Sequence, residues 1–360
     1  VSRLDIARLR LRSQRLVGTP FAQPVNALRW FGAVQAQDYA GAKWGLAQRT
    51  AGATDAAIDA LFDAGTILRT HVMRPTWHFV LPADIRWLLA LTGPRVKAAS
   101  AHYDRKLELD DAVFARSAAL LREALHGGTH MTRAELADVL QRGGISARAQ
   151  RLGHLLMRLE LDAVITSGQR RGRQLTYALL DERAPPVPGL TRDEALAELT
   201  TRYFTSHGPA TAQDFAWWAG LRVSDARLGL ARVGSRLARA EHDGASWWFT
   251  ATATGSTAET AEPVVHLLPN YDEHIVAYRD HGPSLAPGIN EKLHQRRNAL
   301  DAHIIVLNGR VIGGWRRTLQ RKQAVLETTL LVELRKKERA ALQRAAESYG
   351  RFLGLPAILK

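Results

Sequence analysis

Two glutamines one residue apart, Gln35 and Gln37, stand beside a carboxylate, Asp38, and shortly before a lysine, Lys43. Each residue type permits a different chemistry. An unionised amide is too weak a base to deprotonate water, but it donates and accepts hydrogen bonds, so a pair of them can hold a water in place. Asp38 is the rival for general base. Lys43 is the amine nearest the glutamines and the only neighbour that could form an imine with a carbonyl carbon. By residue type alone the cluster fits equally well a solvent-facing helix C-terminus, with Asp38 as a helix-end carboxylate or ion-pair partner. Other reactive sets are sparse. His126 and His130 lie at i, i+4, but Gly127-Gly128 separates them and no carboxylate ligand completes a metal set. There is no P-loop, no dinucleotide-binding glycine fingerprint and no nucleophile elbow. The absence of cysteine excludes disulfides, thiolate-bound zinc, iron–sulfur clusters and thiol nucleophiles. Neither a metal nor a cofactor is expected.

The elements that must position these residues fall into a pattern with an internal repeat. Helices are expected at Val25–Val34 and Thr54–Ala64, then strands at Ile67–Val72 and Thr76–Leu81 joined across Met73-Arg74-Pro75. In the middle of the chain a helix closing at Leu125 is followed by a second over Thr129–Leu140, with Thr132 as N-cap, and a third capped by Ser146 and running to Leu159. Two β-rich runs, Asp162–Thr166 and Leu175–Leu180, flank Gly168-Gln169-Arg170-Arg171-Gly172-Arg173. The same order recurs over Glu194–Ser206, Thr211–Gly220 and Val223–Ala240, ending in a hairpin around Gly244-Ala245. Thr132 matches Thr211 at an offset of 79 residues, while Ser146, Leu152 and Leu159 match Ser224, Leu230 and Leu237 at 78. Helix, helix, helix, hairpin is the winged-helix order. Beyond residue 262, VVHLLP, HIVAY, HIIVL and RVIGGW read as short strands, Asn308-Gly309 as a hairpin turn, and Leu330–Tyr349 as a charged amphipathic helix. The expected fold is α+β: a winged-helix-like domain at 1–110 carrying the glutamines, winged helices at 111–184 and 190–251, and a β-rich, barrel-like domain with a terminal helix at 262–360.

Forty-nine Lys and Arg against 35 Asp and Glu give a formal charge of +14, which makes a polyanion the expected partner. Winged helices sharpen this to DNA, with the three arginines of the first turn, Arg170, Arg171 and Arg173, suited to phosphate or a narrow minor groove. No run approaches the roughly 18 apolar residues of a membrane span, and residues 1–16 lack the apolar core of a signal peptide. A cytoplasmic monomer acting away from membranes is expected. A non-catalytic winged-helix transcription regulator, or a DNA-binding structural protein, would share all of these properties, so only the glutamine cluster separates them.

Val34-Gln35-Ala36-Gln37-Asp38, with Lys43-Trp44-Gly45-Leu46-Ala47 downstream, resembles the glutamine-hydrophobic-glutamine motif of the AlkZ-like winged-helix DNA glycosylases, including the YcaQ-like branch in which Asp replaces the second Gln. The resemblance continues through Arg69–Val80 (RTHVMRPTWHFV), Leu267–His274 (LLPNYDEH) with Tyr278-Arg279-Asp280, and Asn308–Gly313, and so spans essentially the whole chain. It implies a monofunctional glycosylase for bulky N7-alkylguanine in double-stranded DNA, of the crosslink-unhooking and antibiotic self-resistance type. Gln35 and Gln37 would be catalytic, Asp38 a further catalytic candidate, and Lys43, Arg74, Arg316 and Arg317 would join the three turn arginines in binding DNA. His281 stands where the family more usually has Arg, which weakens a DNA contact at that point.

Overall fold

A computed structural model describes residues 5–250, 262–289 and 303–360. The chain folds as two compact units, one formed by residues 1–58, 199–218 and 222–360, the other by 59–198 and 219–221.

The second of these units contains the first copy of the repeat. Helices Asp111–Leu125, Arg133–Arg142 and Ala149–Leu161 bury Leu121, Leu125, Leu136, Leu140, Leu155 and Leu159 in one apolar core. Strands Ile165–Ser167 and Thr176–Leu179 pair antiparallel, and Met131–Thr132 adds a third strand beside Thr176 and Tyr177. Thr132 caps its helix as expected, and Glu135 returns a bond to the Thr132 backbone N–H at 2.7 Å, closing a capping box. Ser146 does not cap the third helix. That helix begins at Ala149, behind Arg148, and the Ser146 carbonyl instead accepts from Arg151 Nε. The unit also holds the hairpin Leu68–Val72 and Arg74–Val80, which pivots on Met73 at φ 65° rather than across three residues. Pro82 then opens a helix that runs to Lys106.

The second copy repeats these devices. Helices Arg192–His207, Ala212–Ala219 and Val223–Val233 precede strands Ala238–His242 and Ala245–Phe249, which turn at Asp243-Gly244, both at positive φ. Thr211 and Asp214 exchange the bonds that Thr132 and Glu135 exchange in the first copy. Ala210 bridges Trp248 as Met131 bridges Tyr177.

The first unit is built on a five-stranded sheet that curls into a half-barrel, in the order Ala357–Leu359, Ala324–Leu330, Arg310–Leu319, Ile304–Leu307, Val265–Leu268. Only the pairing of the first two is parallel. Asn308-Gly309 makes the expected tight turn, with φ of 50° and 87°. HIVAY is not a strand: Asp272 caps a helical turn, Glu273–Val276, by accepting from the His274 N–H at 2.9 Å. The strand before the terminal helix continues through Leu330, and the helix starts only at Lys336, where the Arg335 N–H donates to Glu338 at 2.8 Å. Its Tyr349 and Phe352 pack on Trp44, at 5.0 and 5.1 Å between ring centroids, and Tyr349 also meets Trp315. Among the described residues no helix is long and apolar enough to cross a membrane.

Both capping threonines satisfy a helix N-terminus that would otherwise leave amide donors unpaired. Thr132→Ala and Thr211→Ala are each expected to lower the unfolding free energy by about 1 kcal/mol, measured by denaturant titration. No change in either variant would mean that the repeated threonines are incidental.

Candidate functional site

The glutamine segment follows a helix but is not part of its end. Helix Pro24–Phe31 stops at Gly32, whose φ of 82° breaks the helical path, and Val34–Gln35 then runs extended. The next helix, Tyr39–Ala47, begins at Asp38, whose carboxylate accepts from the Gly41 N–H at 3.1 Å. The cluster therefore occupies a short connection between two helices, with Asp38 as an N-cap where a helix C-terminus was expected. Gln35 is 7% exposed, while Gln37 is exposed.

A buried carboxylate holds this connection. The Gln35 backbone N–H donates to Glu273 Oε1 at 2.8 Å, and Trp218 Nε1 donates to Glu273 Oε2 at 2.8 Å, with His207 Nε2 3.2 Å from the same oxygen. The neighbouring carboxylate, Asp272, receives both terminal nitrogens of Arg49, at 2.8 and 2.9 Å. Arg49 also donates to the Gly45 and Gln14 carbonyls and to the Gln14 side chain, so the guanidinium is fully engaged although it is 2% exposed. Burial alone would raise the Asp272 carboxyl, but the charge and hydrogen bonds of Arg49 outweigh it and hold Asp272 below the ordinary carboxylate range. His207 is kept neutral chiefly by burial.

Helix Tyr39–Ala47 lies close on the Pro269–Asp272 turn because its facing residues are glycines. A Cβ on Gly41 would stand 2.6 Å from Asp38 Oδ2 and 3.1 Å from Pro269 Cβ, and one on Gly45 would stand 3.2 Å from Asp272 Oδ2. Trp44 completes the docking by donating its indole N–H to the Leu267 carbonyl at 2.6 Å. Asp272, Glu273, Arg49 and His207 were not singled out from the sequence. The first two fall inside the LLPNYDEH block, and their function as supports depends on partners far away in the chain.

The other expected site residues have different surroundings. Lys43 is 4% exposed; its ammonium pairs with Asp55 at 2.8 Å and lies 5.1 Å from the Tyr39 ring centre. Arg316 is exposed on strand Arg310–Leu319, whereas half-buried Arg317 donates to the Tyr349 hydroxyl at 2.5 Å. In the other unit, Arg170 spans Asp59 and Asp63 at 2.8 Å each, and thereby ties down its loop. Arg171 meets Glu135 while remaining more than half exposed, Arg173 is exposed, and Arg74 is half-buried at the start of its strand. Tyr278-Arg279-Asp280 is a scaffold: the Tyr278 hydroxyl donates to the His207 carbonyl, Arg10 stacks 3.3 Å from the ring centre, and the Arg279 N–H donates to Asp214.

Comparisons with known proteins converge. The family model described as DNA glycosylase AlkZ-like matches residues 28–352. A Streptomyces sahachiroi protein named as an interstrand DNA cross-link repair glycosylase is 24% identical over 310 residues, which cover 78% of this chain and 79% of that protein. The solved structure of the Streptomyces sahachiroi DNA glycosylase AlkZ superposes with a TM-score of 0.80 at 21% identity, over 99% of this chain and 98% of that one.

The buried scaffold around the site makes stability depend on pH in a defined direction. Burial drives the His274 imidazole down to about 4, although its bond to the Gly309 carbonyl and the charge of Asp272 oppose the shift. An unfolded histidine takes its proton near 6.5, so between about pH 6.5 and 4 the unfolded chain binds more protons than the folded one. Stability is therefore complete above that window and falls as the pH drops through it, by up to about 1.4 kcal/mol per pH unit for each such histidine. Denaturant titrations across the window are expected to show this decline, less steep in His274→Gln. A stability independent of pH from 6.5 to 4 would contradict it.

Proposed function

The chain belongs to the AlkZ-like DNA glycosylase family, and from that premise we propose that it hydrolyses the N-glycosidic bond of bulky N7-alkylguanine in double-stranded DNA, with interstrand crosslinks among its substrates. The observation that carries this reading is the fixed backbone of Gln35, held by a buried carboxylate so that the amide two residues further on, Gln37, is presented from a rigid connection. Alkylation at N7 leaves the purine cationic, so the bond to the sugar breaks towards an oxocarbenium ion without prior protonation of the base. The bonding pair goes to the purine N9, which cancels the positive charge of the base. Water then forms the new bond to the anomeric carbon and loses its proton. For such a leaving group, holding water in line is the main requirement, and paired amides can meet it. Asp38 spends one oxygen on the Gly41 N–H, and its negative charge at the helix N-terminus favours the developing sugar cation.

The same reading makes the enzyme monofunctional. The Lys43 ammonium is paired with Asp55 and buried, a poor state for a nucleophilic amine. The two helix–helix–helix–hairpin segments are read as winged helices that engage duplex DNA, with Arg171 and Arg173 on the first wing and Arg316 on the sheet available to phosphates. A base tethered to the opposite strand cannot rotate freely out of the duplex, so access without full flipping follows for crosslinked substrates. The relative named for interstrand cross-link repair supports that substrate class.

The test is single-turnover release of N7-methylguanine from duplex DNA, with alkali used to reveal abasic sites. Gln37→Ala is expected to lose about 100-fold or more in rate at nearly unchanged DNA affinity, because the lost contact acts in the transition state. The product strand should stay intact until alkali is added, and borohydride should trap no covalent complex. Undiminished release by Gln37→Ala would remove the glutamines from the mechanism, and a trapped complex would replace the hydrolase with a lyase.

A further inference from the structure

The turn that docks against Gly41 is held in a costly conformation. Tyr271 lies at φ 60°, in the left-handed region that a bulky side chain rarely adopts. The Asn270 side-chain oxygen is buried with no hydrogen-bond partner among the described residues, an arrangement that is unfavourable by itself. Neither feature is favourable by itself, and the buried Asp272–Arg49 pair next to them holds the turn in place. What the turn achieves is the aim of one backbone donor: the Asn270 N–H points at His303 Nδ1, 2.9 Å away.

This bond has a chemical consequence. A neutral imidazole that accepts at Nδ1 must carry its proton on Nε2. His303 is therefore set as an Nε2–H donor. Its ring is also immobilised, stacked on Trp315 at 4.7 Å and 28°. Trp315 is fixed in turn by its indole bond to the Leu268 carbonyl and by its backbone bond to the His303 carbonyl. Burial first, and then the charge of Arg317, lower the imidazole to about 4, against the opposing pull of Asp38. The ring is thus uncharged at neutral pH and lies within electrostatic range of the carboxylate that adjoins Gln37. Among the described residues the imidazole makes one hydrogen bond, the one it accepts at Nδ1.

From this geometry we infer that His303 is a further catalytic residue, which donates its Nε2–H to an acceptor on the departing purine. The inference rests on the glycosylase reading above. A neutral donor suits that substrate in a way an imidazolium does not. The alkylated base enters as a cation and would be repelled by a second positive charge. As the bond to the sugar breaks, the electron pair delocalises from N9 over the ring nitrogens and carbonyl of the purine, and a preset N–H then stabilises the charge that develops. The proton stays on His303 throughout, so no further acid or base is needed.

The experiment compares wild type, His303→Phe, His303→Gln and His303→Ala in single-turnover excision of N7-methylguanine, with DNA affinity and melting temperature measured in parallel on the whole protein. His303→Phe can keep the stacking on Trp315 while removing the donor; it also leaves the Asn270 N–H without its acceptor, so it is expected to lose about 100-fold in rate with affinity unchanged and a modestly lower melting temperature. His303→Gln, whose amide can still donate, should recover part of the rate, and added imidazole should partly restore His303→Ala. A wild-type rate in His303→Phe overturns the inference. So does an equal loss in Phe and Gln variants accompanied by lower melting temperatures, since His303 would then act only in packing. If the wild type itself releases no base, the glycosylase reading fails, and this inference fails with it.

Discussion

Two adjacent carboxylates, Asp272 and Glu273, buried at the first turn of a four-residue helix, are the constraint on which the site depends. Removing two such charges from water is unfavourable unless every oxygen finds a strong donor. The donors are what tie the unit together: Arg49 from the end of the Tyr39–Ala47 helix for Asp272, and the Gln35 backbone and Trp218 for Glu273. Removing one partner of a buried pair of this kind typically costs about 3–5 kcal/mol, so the geometry is strongly enforced. The buried charges act here as position markers. An apolar core would hold the same segments together without deciding where the Gln35 amide must sit.

The constraint spreads outward through close backbone approach. Gly41 and Gly45 let the Tyr39–Ala47 helix lie against Pro269 and Asp272, and the same turn carries Asn270 towards His303. Trp44, Trp315, Tyr349 and Phe352 form an aromatic base beneath the helix and the sheet. This turn carries the positive φ of Tyr271 and the Asn270 side-chain oxygen, which has no hydrogen-bond partner among the described residues. Local strain sustained by a rigid frame is the arrangement expected where backbone position matters more than local stability.

The repeat could be read in the sequence because its signals are local: an N-cap threonine with an acidic residue three positions later, and leucines at helical spacing. Ser146 misled because a serine before an apolar run has the composition of a cap, while the chain at Ala149 takes φ 49° and starts the helix later. The Tyr39–Ala47 helix is not legible in the sequence because Gly41 and Gly45 lower its intrinsic propensity; those glycines answer to a surface more than 220 residues away in the chain, at Pro269 and Asp272. HIVAY has the β-branched content of a strand, but the capping bond from Asp272 overrides it. The glutamines were identifiable only by resemblance. Nothing in the residues around Glu273 announces its function, since its partners Gln35, His207 and Trp218 lie 238, 66 and 55 positions distant.

Under the proposed function, Glu273 serves catalysis by fixing the backbone from which Gln37 is presented. A double-mutant cycle on single-turnover base release, using Glu273→Gln, Gln37→Ala and the pair, tests it most directly. Glu273→Gln keeps the shape of the side chain but turns an –NH2 towards one of two donors, Gln35 N–H or Trp218 Nε1–H. Glu273→Gln is expected to slow base release while DNA affinity is retained, and the double variant to be no slower than Gln37→Ala alone, because both changes remove the same function. Multiplied losses in the double variant, or an unimpaired Glu273→Gln enzyme, would show that the buried carboxylate supports the fold but not the chemistry.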